Sequence, residues 1–266
     1  MIGQKATVLD RILARKREEI EALKSRPEAA ELRRRCLEQP PPRDLAAALK
    51  NCPRVPIIAE IKKASPSAGT LNGSVPTAKR ARAYQAGGAA ALSILTDGPF
   101  FHGSLGDLEE ARRAVTLPVL RKDFILEPVQ LYESRAAGAD AILLIAAALE
   151  ESRLEDLFYQ ALLLGLTPLV EVHDAEELAA VLPLKPSLLG INNRNLATLE
   201  VTLATTENLM PLVPAGTLVV SESGIAGAKD VTRLQQAGVT AFLIGTTLMK
   251  SGDPEAELAC LCRAGG

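Results

Sequence analysis

Short apolar segments recur at regular intervals from residue 55 onward, and amphipathic segments of about 10–15 residues separate them. This alternation constrains the fold more than any other feature, because it is typical of parallel strands joined by helices. The sequence therefore predicts an α/β fold with eight parallel strands. The predicted strands are residues 55–62, 89–96, 118–123, 139–146, 167–172, 187–192, 216–222 and 239–245.

Eight strand–helix units in about 210 residues match a (β/α)8 TIM barrel. Near-continuous apolar strands fit a sheet that is buried on both faces, and glycines at 87–88, 138 and 238 supply helix stops before the next strand. A doubly wound open sheet is the alternative. That fold usually carries a glycine fingerprint after its first strand, whereas the first segment here ends in Glu60-Ile61-Lys62.

The first 50 residues lack this alternation and predict helices instead. Apolar side chains recur at helical spacing among charged residues. We expect one domain over residues 1–266, in which residues 1–50 form a helical extension that caps the barrel and residues 55–266 form the barrel. A partner-binding arm is the alternative interpretation of the extension. The predicted helices cover residues 7–24, 28–37 and 44–50.

Charge and composition exclude several classes of protein. Thirty Lys and Arg against 32 Asp and Glu give a formal net charge of −2, so no overall basic charge favours nucleic acid or anionic membranes. The longest apolar run, residues 141–149, is far shorter than the roughly 20 residues of a membrane-spanning helix. The N-terminus lacks the apolar segment of a secretory signal. We expect a cytoplasmic protein without nucleic-acid or membrane partners.

Cysteines and histidines are too few and too scattered to indicate a disulfide framework or a zinc site. We expect free cysteines, no metal and no cofactor. The two histidines, His102 and His173, are interpreted as hydrogen-bonded loop or rim residues rather than bases. The cysteines are Cys36, Cys52, Cys260 and Cys262.

Polar and charged side chains follow six of the predicted strands where each strand ends. In a barrel these ends meet on one rim, where active sites lie, and buried charges there must be paired or functional. Residues two apart on a strand share a face, so Glu60 faces the same side as Lys62, and Asn192 the same side as Arg194. Other members of this set are Lys122, Glu171, Glu222 and Thr246.

The surroundings of these side chains separate functional from structural roles. Lys122 and Glu171 follow or interrupt apolar runs, where an unpaired charge is costly, so both are interpreted as functional. Arg194 could instead be a structural strut to Glu222 or Asp123. Glu222 could simply pair with a lysine of the same rim.

Glycine and a hydroxyl-bearing residue follow each of the last two predicted strands, as Ser223-Gly224 and Gly245-Thr246. Backbone N–H groups in such loops form the phosphate site of many barrels, because glycine lets the backbone approach an anion closely. The residues alone therefore predict a barrel enzyme that uses Lys and Glu for proton transfer on a small sugar-phosphate-like anion.

Six segments resemble the indole-3-glycerol phosphate synthase family of tryptophan biosynthesis, in the family's order and spacing. The resemblance covers nearly the whole chain, including the helices before the first strand. The segments are residues 58–67 (IAEIKKASPS), 92–97 (LSILTD), 118–125 (PVLRKDFI), 169–173 (LVEVH), 190–196 (GINNRNL) and 221–225 (SESGI).

This resemblance implies a carboxy-lyase that closes the indole ring of 1-(2-carboxyphenylamino)-1-deoxyribulose 5-phosphate with loss of carbon dioxide and water. Lys122 would be the general acid that protonates the ribulose carbonyl. Lys62 and Glu171 would assist dehydration as acid and base, and the division of these later proton transfers stays open. Glu60 and Glu222 would hold the lysines and the substrate hydroxyls.

The resemblance also implies the substrate contacts. The anthranilate part and its carboxylate would be positioned by Asn192 and Arg194. Of these two, Asn192 is also predicted to be a catalytic residue. Ser65 and Ser223 would be nearby polar contacts. The apolar wall around the aromatic ring would comprise Phe101, Phe124, Leu144 and Leu196. The phosphate would be bound by Lys62, Gly224, Gly245 and Thr246.

Departures from the family pattern are small. The segment 69–76 carries fewer acidic residues than the resemblance leads one to expect. Thr246 stands where relatives also have Ser or Glu, and it keeps a hydroxyl for the phosphate.

Two other functions compete with this one. A Schiff-base aldolase acting on a sugar phosphate would use Lys122 as an amine nucleophile, but Asp123 and Glu171 favour its charged form. A catalytically idle scaffold would have lost rim residues, and the rim is intact. The expected partner is a small phosphorylated substrate. We expect a monomer, with a weak dimer as the alternative.

Overall fold

Parallel strands close into a barrel in the computed structural model, which describes residues 7–65, 69–70 and 75–264 apart from the side chains of Glu28, Ser65 and Thr70. Within these residues, eight strands pair in chain order, and the first pairs with the last through Ile57 and Phe242. The predicted (β/α)8 barrel is confirmed. The barrel strands are Ile57–Ile61, Ala91–Leu95, Val119–Lys122, Ala141–Ile145, Thr167–Val172, Leu188–Asn192, Leu218–Glu222 and Ala241–Ile244.

Helices surround the barrel and precede it, and two-residue strands Ala64–Ser65 and Gly69–Thr70 form a small antiparallel pair after the first barrel strand. None of the described helices combines the length and apolar character needed to cross a membrane. The α-helices are Val8–Lys24, Glu28–Glu38, Leu45–Lys50, Thr77–Ala86, Gly98–Phe101, Leu105–Ala114, Pro128–Ala136, Glu151–Leu163, Ala175–Val181, Ala204–Leu209, Ala228–Gln236, Thr246–Lys250 and Pro254–Leu261, and the 3-10 helices are Ala146–Ala148, Leu182–Leu184 and Met210–Leu212.

Local sequence explains where the N-terminal helices begin. Thr7 caps the first helix, because its Oγ1 accepts the Asp10 N–H at 3.1 Å while Asp10 accepts the Thr7 N–H at 2.8 Å. Asp44 caps the third helix by accepting the Ala47 N–H at 2.9 Å. The predicted helices are therefore confirmed to within one residue at each end.

Two apolar layers form the core because side chains alternate along each strand. Ile58 and Leu143 face the barrel axis, whereas Ile57 and Leu144 pack against the surrounding helices. The short helix Leu45–Lys50 adds two buried leucines to the inner layer. With both faces of the sheet buried, solvent reaches the described strands chiefly at their ends.

The N-terminal helix is bound to the carboxyl-end rim of the barrel. Lys16, a buried residue of this helix, places its Nζ 3.0 Å from Asp97 and 2.9 Å from Asp123, which follow the second and third barrel strands. Leu13 and Ile20 pack beside Leu126. The predicted capping of the barrel by this extension therefore depends on one buried ammonium as well as on apolar contacts.

Replacing Lys16 by Ala should lower the free energy of unfolding by about 3–5 kcal/mol, because two buried carboxylates lose their shared cation. Arg15→Ala is the matched control on the same helix. Arg15 is exposed and contacts Glu18 and Glu19 on the surface, so its loss should cost under about 1 kcal/mol. Urea denaturation measures both, and equal losses would contradict this assignment.

Candidate active site

A cavity of about 1150 Å³, counted with its open mouth, lies at the carboxyl ends of the barrel strands. The N-terminal helix contributes Val8, Leu9 and Ile12 to its wall. All residues predicted for the site line this cavity, except Leu144 and the side chain of Ser65, which lies outside the described residues. Those that line it are Glu60, Lys62, Phe101, Lys122, Phe124, Glu171, Asn192, Arg194, Leu196, Glu222, Ser223, Gly224, Gly245 and Thr246.

Lys122 is the centre of a buried charge cluster. Its Nζ donates to Glu171 Oε2 at 2.6 Å and to Glu222 Oε2 at 2.8 Å. Burial alone would lower the pKa of Lys122, but the two carboxylates outweigh burial and raise the pKa above its usual value. Lys122 is therefore an ammonium at neutral pH. The ion pair between Glu222 and Lys122 also agrees with the interpretation that Glu222 pairs with a lysine of the same rim.

The two carboxyl groups that share Lys122 differ in protonation. Burial tends to raise the pKa of Glu171, but Lys122 and His173 outweigh it and hold the pKa below the usual range. Burial raises the pKa of Glu222 to about 7, and the nearby charge of Glu171 adds to this effect. At neutral pH the cluster therefore holds a carboxylate base and a partly protonated carboxyl side by side.

Two glycines leave space for the carboxyl groups of Glu222 and Glu60. A Cβ added to Gly190 would lie 2.5 Å from Glu222 Oε1, and one added to Gly245 would overlap the Glu60 carboxylate. Glu60 in turn forms an ion pair with Lys62, whose Nζ lies 2.5 Å from Glu60 Oε1, as the shared strand face predicts. Any larger side chain at either glycine would have to displace a buried charge.

Arg194 provides a cation beside this cluster. Its Nη1 donates to the Leu199 carbonyl at 3.0 Å, and its backbone N–H donates to Asn192 Oδ1 at 3.0 Å. Across the described residues it forms no ion pair with a carboxylate, so the alternative interpretation of Arg194 as a structural strut to Glu222 or Asp123 is wrong. Partial burial lowers the pKa of Arg194, and its guanidinium is available to an acidic ligand.

Aromatic and aliphatic side chains form one wall of the cavity. The rings of Phe101 and Phe124 lie 6.4 Å apart between centroids, at 38°. Leu144 does not contribute to this wall: it is buried against the helices, while Leu143 and Ile145 line the cavity. Strand pairing explains the difference, because Ile145 pairs with inward-facing Glu171 and Leu144 with outward-facing Val170.

The loops after the last two strands also line the cavity. Ser223 and Gly224 both have positive φ, 65° and 81°, and a Cβ on Gly224 would lie 2.7 Å from Val201. Only glycine fits that position without strain. Gly245 precedes the short helix Thr246–Lys250, and both loops contribute glycine to the lining of the cavity.

Comparison with known proteins agrees with this geometry. A model of the family "Indole-3-glycerol phosphate synthase" matches residues 9–261. The chain belongs to this family. A protein of that name from Burkholderia ambifaria is 50% identical over 257 residues, which cover 95% of this chain and 97% of the relative. Another, from Bordetella pertussis, is 48% identical over 257 residues, covering 96% and 98%.

The fold is shared more widely than the sequence. A solved N-acetylmannosamine-6-phosphate 2-epimerase from Clostridium perfringens is similar with a TM-score of 0.58 over 76% of this chain and 90% of that chain. Its sequence identity is 15%, so this likeness concerns the barrel alone. The specific evidence for the indole-3-glycerol phosphate synthase family is the full-length sequence match.

Several residues that build the site of this family member were not predicted from sequence. Leu143 and Ile145 follow from strand alternation once one inward residue of a neighbouring strand is known. Gly190 stands in the segment that carries Asn192, but its role is to leave space, which no side chain reveals. His173 was interpreted as a rim residue, and its Nδ1 indeed lies 3.0 Å from Glu177, yet it also approaches Glu171.

The carboxyl group of Glu222 should titrate near pH 7 rather than near 4.5. Its contribution to stability is therefore complete below about pH 4.5 and declines as pH rises through about 7. NMR of protein labelled with ¹³C at the Glu carboxyl should show one such titration, which Glu222→Gln abolishes. A carboxyl signal assigned to Glu222 that titrates at its ordinary value would contradict the proposed protonation.

Proposed function

We propose that this protein converts 1-(2-carboxyphenylamino)-1-deoxyribulose 5-phosphate to indole-3-glycerol phosphate, carbon dioxide and water, a reaction that agrees with its membership of the indole-3-glycerol phosphate synthase family. The observation that carries the proposal is a single ammonium, Lys122, held by two carboxyl groups of different pKa inside the cavity. Such a cluster offers a proton donor and a proton acceptor at the same pH.

Ring closure is the first step that the cluster supports. The aromatic carbon that bears the substrate carboxylate attacks the ribulose carbonyl carbon, and the Lys122 ammonium gives a proton to the carbonyl oxygen as its negative charge develops. A carbon–carbon bond forms, the carbonyl becomes a hydroxyl, and Lys122 becomes an amine. Loss of carbon dioxide then returns its bonding electrons to the ring and restores aromaticity.

Dehydration completes the indole. The new hydroxyl leaves as water after accepting a proton from an ammonium, while a carboxylate takes a proton from the adjacent carbon next to nitrogen. Lys62 and Glu171 are our candidates for acid and base. Both line the cavity, and the depressed pKa of Glu171 keeps it ionised as a base requires. Glu60 and Glu222 orient the two lysines through the ion pairs described above.

The remaining lining residues match the other parts of this substrate. Arg194, which has no carboxylate partner among the described residues, suits the anthranilate carboxylate. Phe101, Phe124 and Leu196 form an apolar face for the aromatic ring. Gly224, Gly245 and Thr246, with Lys62, line the same cavity and suit the phosphate. Asn192 donates to Glu171 Oε1 at 3.0 Å, and Ser223 lines the same region.

The rest of the proposal concerns partners and location. The partner is a small phosphorylated substrate, the protein acts as a monomer, and it works in the cytoplasm. Unpaired cysteines support a reducing compartment.

A Schiff-base aldolase is disfavoured by the contacts of Lys122. A nucleophilic lysine must be neutral, whereas two carboxyl groups at hydrogen-bond distance raise the pKa of this one. Borohydride reduction in the presence of a keto-sugar phosphate should accordingly leave Lys122 unmodified.

Purified protein should produce indole-3-glycerol phosphate from the carboxyphenylamino substrate. The fluorescence of the indole product measures the rate. Lys122→Met should reduce kcat by at least about 100-fold, because ring closure loses its general acid. Lys79→Met, an identical change at an exposed lysine outside the cavity, is the control and should keep wild-type activity. Absence of turnover in folded wild-type protein would reject the proposed function.

Gly190→Ala tests the packing around Glu222. The new methyl group would displace the Glu222 carboxyl from Lys122, so kcat should fall by about tenfold or more, since small misplacements of catalytic groups are costly. Gly252→Ala is the matched control, because a Cβ there meets nothing within 4 Å. Steady-state kinetics separates kcat from KM. Equal activity of the two variants would show that the position of Glu222 is unimportant.

A further inference from the structure

His173 is the first residue after the fifth barrel strand, and its ring lies between two carboxylates. Nδ1 is 3.0 Å from Glu177 Oε2 and Nε2 is 3.2 Å from Glu171 Oε1. Glu177 Oε2 also accepts the His173 backbone N–H at 2.8 Å, so one carboxylate holds both the ring and the backbone. The side chain of His173 is 10% exposed. His173 therefore connects Glu171, which lines the cavity, to Glu177 of the helix Ala175–Val181.

The approach to Glu171 is an ion-pair contact rather than a hydrogen bond. Nε2 is buried, and its direction does not satisfy hydrogen-bond geometry with any described partner. Glu171 meanwhile accepts from Lys122 on Oε2 and from Asn192 on Oε1. Within the described part of the chain, the basic groups that contact this buried carboxylate are thus Lys122 and His173.

During the proposed ring closure, Lys122 loses its positive charge whereas His173 keeps its own. Lys122 becomes a neutral amine when it protonates the substrate, and Glu171 then loses the charge that offsets its burial. A buried carboxylate without a cation tends to become protonated. His173 is the charged group that remains, and Glu177 balances its charge from the outer side.

We propose that His173, held by Glu177, is a positioning residue that keeps Glu171 ionised and oriented for the later proton transfer. The inference rests on the proposed function and deepens it, because it assigns a task to a residue that does not face the substrate. His173 does not line the cavity, whereas Glu171 does.

The electrostatics of the ring support this role. Burial by itself would lower the pKa of His173, but the close contacts with Glu171 and Glu177 and the charges of these carboxylates outweigh burial and raise the pKa to about 10. His173 is therefore an imidazolium at neutral pH. The charged groups that face it are these two carboxylates, with Lys122 on the far side of Glu171.

Kinetics of His173→Asn tests the proposal against His102→Asn, the same change at the only other histidine. His102 is exposed and has φ of 54°, which Asn tolerates. For His173→Asn we expect kcat near neutral pH to fall about tenfold, with KM within about threefold. The acid limb of the kcat profile should move about one unit to higher pH, because loss of the cation raises the pKa of Glu171.

Glu177→Gln gives a second, milder test should His173→Asn fail to fold. The amide keeps an acceptor for the ring but removes the charge, so the acid limb should move in the same direction by less. Profiles of His173→Asn and Glu177→Gln that coincide with those of wild type and His102→Asn would overturn the proposal.

NMR of the His102→Asn protein gives a readout without substrate, since His173 is then the only imidazole. Its ring nitrogens should stay doubly protonated up to about pH 8. A titration midpoint near 6.5 would overturn the inference even if the enzyme turns over. If wild-type protein shows no turnover, the proposed function fails, and this titration still decides whether His173 carries the charge.

Discussion

The interaction on which the site depends is one ammonium shared by two buried carboxyl groups. Two carboxylates beside a single Lys122 cannot both be fully ionised in a dry site without great cost, so their protonation states separate. Glu171 takes the charge, and Glu222 holds a proton for part of the time at neutral pH. The separation needs no metal ligand or special residue. It follows from placing three ordinary side chains on the ends of three barrel strands whose surroundings exclude water.

A second buried network of charged and polar side chains lies next to Lys122 in the chain. Lys122 forms its ion pairs with Glu171 and Glu222, whereas its two neighbours along the third strand, Arg121 and Asp123, belong to a separate buried network. Arg121 and Asp123 contact each other at 3.0 Å, and Asp123 also binds Lys16 of the N-terminal helix. Thr96 joins the same group by donating to Asp123 at 2.6 Å. The helical extension is thus connected to the catalytic strand by buried charges, which explains why an element outside the barrel shapes its cavity.

The sequence predicted those parts of the molecule that depend on local pattern. Strand period, helix caps and charged strand ends were enough for the barrel and for the convergence of Glu60, Lys122 and Glu171 on one rim. Leu144 was misplaced because its face depends on pairing with a neighbouring strand, which the run of apolar residues does not reveal. Lys16 was not predicted at all, since its partners lie about 80 and 107 residues away along the chain.

The buried carboxyl groups of this barrel need space, which neighbouring glycines provide. Gly190 and Gly245 lie beside the carboxyl groups of Glu222 and Glu60, and each lacks a side chain where that carboxyl group sits. A barrel interior is normally filled by branched apolar side chains, and here glycine leaves the space that the Glu222 and Glu60 carboxyl groups occupy. The acidic residues supply the proton chemistry, but the glycines decide where those residues can stand. A carboxylate and its facing glycine are therefore one structural unit, and neither can be changed alone without moving the charge.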